Sequence, residues 1–108
     1  MTDGNEVLAS IKAVDELSRR MTFVGYGSVS WNPGDLGDGA GETSAGITVA
    51  NAALGDFVLV ACPEDAIDVL FCGYVQAANT VEIRIQNEAT ANRNLGAGTW
   101  KVLVFRFT

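Results

Sequence analysis

The sequence predicts a mainly β protein: a single β-sandwich or small-barrel domain over residues 23–108, preceded by a short N-terminal amphipathic helix or arm over residues 1–22. Three observations predict this fold. Residues 80–86 alternate strictly between apolar and polar, as a strand with one buried and one wet face does. Predicted strands recur about every ten residues, the spacing of a sandwich or small barrel. Twelve glycines and two prolines among 108 residues favour a turn-rich β domain.

The N-terminal segment has the period of a helix. Apolar residues recur at steps of three and four over residues 5–21, with charged residues opposite, which predicts an amphipathic helix. Asp3 or Asn5 is suited to cap its start. Two interpretations stay open: the helix lies against its own sheet, or it is an arm that packs on a neighbouring subunit. The apolar stripe consists of Val7, Leu8, Ile11, Val14, Leu17 and Met21.

The first predicted strand covers residues 22–31 and is interrupted by two glycines. A turn sequence at residues 32–34 ends it, and residues 34–46 are predicted to form a long glycine-rich loop. A short strand then returns the chain at Ile47 and Val49. The residues expected on one face of the first strand are Phe23, Val29 and Trp31.

Four further strands are predicted in the second half of the chain. Residues 57–62 are almost wholly apolar, which favours a strand buried on both faces, at the centre of the domain or under a neighbour. The other three strands cover residues 69–75, 80–86 and 100–107.

Cys62 and Cys72 are predicted to be free and buried. If residues 57–62 and 69–75 form a hairpin, the two cysteines are offset by three residues. Such an offset is about 10 Å along a strand, which is too far for a disulfide. Free thiols suit a protein made in a reducing cytoplasm.

Composition argues against several classes of partner. The net charge is −6, and the seven basic residues are scattered, so no nucleic-acid surface is expected. No apolar run approaches the length of about 20 residues that crosses a bilayer, so no membrane partner is expected. Asp3 and Glu6 precede the first apolar run, which is the wrong order for a secretion signal.

No catalytic, cofactor or metal site is predicted, and the chain is not expected to be an enzyme. It contains no histidine, the commonest general acid–base. The acidic residues of the 35–42 loop match no calcium signature, and a solvated turn is expected there. Trp31 and Trp100 are expected to fill core; if exposed, they would suit stacking on sugar rings.

Several short motifs follow one another in a recognisable order. They are Val29-Ser-Trp31-Asn-Pro33, a Gly-Asp-Gly-Ala-Gly loop, Ala52-Ala53-Leu54-Gly55-Asp56-Phe57-Val58, Tyr74-Val-Gln-Ala-Ala-Asn79-Thr80-Val81, Ile85-Gln-Asn87 and Gly98-Thr99-Trp100-Lys-Val102. In order and spacing, over about residues 28–106, they resemble a family of small virion structural proteins of tailed bacteriophages, the head decoration or cement proteins.

The resemblance implies a jelly-roll-like module on the capsid surface, synthesised in the host bacterial cytoplasm. Its implied partners are the major capsid protein and further copies of itself, as a homotrimer or homodimer, without a cofactor. The implied role is to bind across capsid subunits and stabilise the head. Alternative functions are a tail or fibre accessory protein, or a lectin-like carbohydrate-binding module. The residues predicted to lie at interfaces are Val7, Leu8, Ile11, Val14, Phe57, Leu59, Phe105 and Phe107.

Overall fold

A computed structural model describes residues 21–108, together with Lys12, Asp15, Glu16, Arg19 and Arg20. The protein is mainly β, as predicted, and its strands pair in antiparallel fashion. The strands are β1 (Met21–Trp31), β2 (Asp35–Leu36), β3 (Gly41–Thr43), β4 (Ile47–Thr48), β5 (Phe57–Ala61), β6 (Val69–Ala77), β7 (Thr80–Asn87), β8 (Arg93–Asn94) and β9 (Gly98–Phe107).

Two sheets form a sandwich. Sheet 1 has the order β1-β9-β5, with the long strand β9 in the middle. In sheet 2, β7 pairs along one side with β6 and along the other with β3 and β4. The chain passes back and forth between the two sheets, as it does in jelly rolls. A small ribbon of β2 and β8 lies outside both sheets.

The core lies between the sheets and comes largely from their central strands. Along β7 the apolar members of the alternating pattern, Val81, Ile83 and Ile85, are fully buried, which confirms the strand and face predicted from period two. Strand β9 alternates in the same way. Its buried residues are Trp100, Val102 and Val104.

Asn87 is the fully buried polar residue at the end of β7. Its side-chain amide donates to the carbonyl oxygens of Leu36, Gly37 and Ala91, at 2.9, 3.0 and 3.0 Å. Its amide oxygen accepts from the backbone N–H of Ala89 at 2.9 Å. Every polar atom of this side chain is therefore paired, which is the condition for burying an amide without a large cost.

The hairpin considered for the two cysteine-bearing strands is not formed. Strand β5 pairs with β9 in sheet 1, and β6 pairs with β7 in sheet 2. The connection between β5 and β6 therefore crosses from one sheet to the other. Periodicity identified both strands, but it carries no information about which strand each one pairs with.

The prediction that residues 57–62 form a strand buried on both faces is wrong for the isolated chain. Strand β5 is an edge strand of sheet 1. Its Val58 and Val60 point inward and pack against the core, whereas Phe57, Leu59 and Ala61 are exposed. The cysteines are free, as predicted, but Cys62 is only half-buried and Cys72 is exposed, so their predicted burial is not found.

The 34–46 segment contains the short strands β2 and β3 and is not a continuous loop as predicted. At the other end, β1 begins at Met21, which was expected to close the helix. The stripe residues Val7, Leu8, Ile11, Val14 and Leu17 lie outside the described residues. The N-terminal helix therefore stays a prediction.

Candidate protein–protein interface

Apolar side chains cover one end of the outer face of sheet 1, and Lys101 and Ser28 lie in the next row. Because partners in an antiparallel pair share a face, the strand register determines its rows. Phe105 of β9 lies between Phe23 of β1 and Phe57 of β5, and Leu103 lies between Tyr26 and Leu59. Met21 lies opposite Phe107 at the end of the sheet. These residues, here called the apolar face, are Met21, Phe23, Tyr26, Phe57, Leu59, Leu103, Phe105 and Phe107.

Most of the apolar face is open to solvent. Phe105 is half-buried and stacks on Phe57, with ring centroids 5.4 Å apart and planes inclined by 12°. The other seven side chains are 40% to 76% exposed, Tyr26 most of all. Single exposed apolar residues are normal on any protein, but a contiguous patch is not. This face is therefore a candidate protein–protein interface.

A shallow hollow of about 580 Å³ indents the apolar face beside Tyr26. Small side chains, those of Ser28 and Ala61, form part of its floor together with Gly27. Lys101 lines one side and lies between Ser28 and Ala61 in the register. The surface thus combines a protruding ring with an adjacent depression, which gives it shape as well as apolar area.

An ion pair holds the end of sheet 1 where the phenylalanine rows lie. Arg106 donates two hydrogen bonds to the carboxylate of Asp56, at 2.7 and 2.8 Å, and a third to the carbonyl oxygen of Asn51 at 3.2 Å. The Asp56 side chain is only 4% exposed. The hydrogen bond from Arg106 lowers the pKa of Asp56 below its ordinary value. Desolvation by burial raises the pKa, and the hydrogen bond from the N–H of Ala53 lowers it further.

The outer face of sheet 2, here called the polar face, is different in kind. Tyr74 donates to Glu82 at 2.9 Å across the β6–β7 pair, and Arg84 donates to Thr43 at 3.1 Å across the β3–β7 pair. The hydrogen bond to Glu82 raises the pKa of Tyr74 above its ordinary value. On β6 the exposed Leu70, Cys72 and Tyr74 each lie opposite a polar residue of β7, so no apolar row crosses this sheet as it does on sheet 1.

Four of the predicted interface residues come together on the apolar face: Phe57, Leu59, Phe105 and Phe107. The other four, Val7, Leu8, Ile11 and Val14, lie outside the described residues. The sequence reasoning missed Met21, Phe23, Tyr26 and Leu103. Met21 had been assigned to the helical stripe, and Phe23 to the same face as Val29 and Trp31. A β-bulge between Phe23 and Gly25 shifts the register and turns Phe23 outward.

Trp100 lies in the core, and Trp31 packs against it. Trp100 is 1% exposed, as predicted, and touches the half-buried Trp31 at a ring-centroid distance of 5.3 Å. Phe71 meets Trp100 edge-on at 5.7 Å. Trp100 therefore has no free ring face for a sugar.

Among the described residues, no group of three His, Cys, Asp or Glu side chains is close enough to hold a metal ion. No helix in this part of the chain is long and apolar enough to span a membrane.

No known protein-family model matches this sequence, and no curated protein matches it either. The resemblance to phage decoration proteins therefore stays a prediction from the motifs.

Proposed function

We propose that this chain is a structural protein of a tailed-bacteriophage virion: a decoration, or cement, protein that binds the outside of the head across major capsid subunits and stabilises it. The observation that carries the proposal is the apolar face. It is the feature expected of a protein that works by being buried against other proteins, and it lies where half of the predicted interface residues lie.

The energetic argument rests on burial. Covering apolar surface contributes about 25 cal/mol per Å² removed from water, before the costs of association. The chain carries thirteen acidic residues, yet none occurs in the three strands of sheet 1. Burying this face therefore desolvates no carboxylate of those strands, and desolvating charges is the main penalty that opposes burial at an interface.

The phage setting comes from the motif resemblance, and the physical role follows from the setting. A head filled with DNA is under outward pressure, and a clamp adds buried area across the seams where subunits would separate. A modest interface repeated over many copies is enough, because each clamp must resist only a local opening. Synthesis in the host cytoplasm is consistent with two free thiols.

The test is binding to heads that lack decoration. Purified chain is mixed with undecorated heads and, separately, with isolated tails, and each mixture is sedimented. We expect saturable binding to heads and a higher temperature of DNA release from decorated heads. Binding to tails alone would support the tail or fibre alternative, and binding to neither would contradict the proposal.

Two leucine variants test whether the apolar face takes part in binding to heads. Leu59 on the apolar face and Leu70 on the outer side of β6 are 57% and 64% exposed, so each tolerates a charge without disturbing the core. We expect Leu59→Glu to weaken head binding by about tenfold or more, because it places a carboxylate in the buried contact. Leu70→Glu is the matched control and should bind as the unmodified chain does.

A further inference from the structure

We infer that a second copy of this chain covers the apolar face, with the two sheets packed face to face about a two-fold axis. This rests on the proposed function, in which the apolar face is buried against protein on the head: it names a second copy as that protein, so that the chain binds the capsid as a dimer through its remaining surface. Sheets that pack face to face lie about 10 Å apart with their side chains interdigitating, and the core of this sandwich already uses that arrangement once. The inferred dimer would repeat it on the other side of sheet 1.

The area of the face matches what a stable pair needs. Seven side chains that are 40% to 76% exposed present roughly 700–800 Å² of apolar surface, taking about 200 Å² for each complete side chain. A standard protein–protein interface buries about 800 Å² on each partner. The largest apolar patch of an ordinary monomer is about 300–600 Å². The apolar face is therefore larger than a monomer usually leaves open and large enough for one complete contact.

Charge favours a second copy over a different partner. Each chain carries a net charge of −6, so two copies repel one another unless their acidic residues stay away from the contact. In sheet 1 they do: β1, β5 and β9 contain no acidic residue, and Lys101 is the one charged residue on the outer side. A cationic partner would be recognised by carboxylates, and the strands of this face offer none. A face without carboxylates on an acidic protein is compatible with another face of the same kind.

Shape supports the same occupant. A two-fold contact requires a surface that is complementary to itself, with each protrusion near a recess that its symmetry mate can fill. Tyr26 is the most exposed side chain of the face, and the 580 Å³ hollow lies directly beside it. A two-fold axis near Leu103 would bring the Tyr26 ring of each copy to the hollow of the other.

The test measures molar mass without any phage component. Sedimentation equilibrium of the full chain is followed over a range of concentrations in the presence of a reductant, because the exposed Cys72 lies on the opposite side of the molecule and could crosslink copies by a disulfide. We expect the mass to rise to twice the 11.4 kDa of one chain. Leu59→Glu should raise the dissociation constant by about tenfold or more, since it brings two carboxylates into one apolar contact. Leu70→Glu should leave it unchanged.

A second variant protects the test against a folding defect. Tyr26→Glu alters the side chain that is 76% exposed, and it should dissociate the dimer while retaining the far-ultraviolet circular dichroism of the unmodified chain. A monomer at all concentrations, a trimer, or a dimer that neither variant weakens would overturn the inference. A monomer that still binds heads through Leu59 would leave the proposed function standing, with the capsid covering the face. A face-to-face dimer that binds neither heads nor tails would contradict the proposed function and leave the inferred dimer standing.

Discussion

Asp56 and Arg106 form an ion pair in which the pKa of the carboxyl lies below its ordinary value. Their double hydrogen bond joins the loop before β5 to the end of β9, and so fixes the end of sheet 1 that carries Phe57 and Phe105. Bidentate arginine–carboxylate pairs are among the stronger charged contacts in proteins. The carboxylate is 4% exposed while the arginine side chain is 41% exposed, so solvent screens only one partner well.

This pair predicts a pH dependence of stability. In the unfolded chain the pKa of an aspartate is about 3.9, and in the folded protein the pKa of Asp56 is lower. The stabilising contribution is therefore complete above about pH 5 and is lost as the pH falls through the folded-state value. We expect Asp56→Asn to be less stable than the unmodified chain at neutral pH, and the difference to shrink steadily towards pH 2. Urea denaturation at a series of pH values measures both.

Asp38→Asn is the control for that series. Asp38 is exposed in the turn between β2 and β3, and its carboxylate accepts no hydrogen bond from the described residues. Asp38→Asn should have little effect on how the free energy of unfolding varies with pH. If Asp56→Asn and Asp38→Asn gave the same profile, the proposed importance of the ion pair would be contradicted.

At the scale of single residues, the sequence predicted faces well wherever a strand stayed regular. Val81, Ile83 and Ile85 are buried because their alternation is unbroken. Phe23 is the instructive failure: one bulge after it reverses the side of the sheet on which it lies. The glycines beside it hinted at a bulge, but they could not say on which residue the register would shift.

Among the elements, β6 and β5 approach one another closely because one residue lacks a side chain. A Cβ atom at Gly73 of β6 would lie 2.5 Å from Cγ1 of Val58 and 2.7 Å from Cγ2 of Val60 on β5. Valine has few rotamers with which to withdraw, so the two sheets would have to separate locally.

We therefore expect Gly73→Ala to lower the free energy of unfolding by about 1–3 kcal/mol, the usual cost of overpacking a core. Gly37→Ala is the matched control, because a Cβ atom there would meet only the Asn92 side chain, at 3.9 Å. The control should be neutral or stabilising by up to about 1 kcal/mol, since alanine restricts the unfolded chain. Chemical denaturation of both variants makes the comparison. Equal free energies of unfolding for the two variants would contradict the claim that the contact at Gly73 sets how closely the sheets can approach.

Element types were predictable from the sequence, and element partners were not. The alternation of β7 and the length of β9 identified both strands, whereas β2 and β3 are too short to leave a periodic signal. Strand β5 was misassigned for a physical reason. An apolar residue on each face predicts that both faces are covered, but it does not distinguish cover by the same chain from cover by another one.

For the whole molecule, the apolar residues that one core does not need are the observation on which the proposed function rests. The contiguous apolar rows lie on sheet 1, whereas polar side chains on the outer face of sheet 2 form cross-strand hydrogen bonds, so the two outer surfaces of the sandwich differ in kind. Half of the candidate interface could be predicted from apolar runs, because β5 and β9 are apolar beyond the needs of one core. The contribution of β1 could not, because a bulge between Phe23 and Gly25 breaks the alternation that would place Phe23 and Tyr26 on one face.

The most direct measurement compares the two tyrosines of the chain, one on each surface. Tyr26 on the apolar face is 76% exposed and Tyr74 on the polar face 38%. Hydroxyl-radical footprinting, quantified by mass spectrometry, reports the solvent access of each. In dilute solution, and in Leu59→Glu at any concentration, we expect Tyr26 to be modified faster than Tyr74.

In concentrated solution and on decorated heads, we expect the order to reverse: Tyr26 becomes protected while Tyr74 reacts as before. Tyr74 is the internal reference, since any general loss of radicals would slow both rings equally. Tyr26 that stays the faster-reacting ring under every condition would contradict the claim that the apolar face is buried against protein.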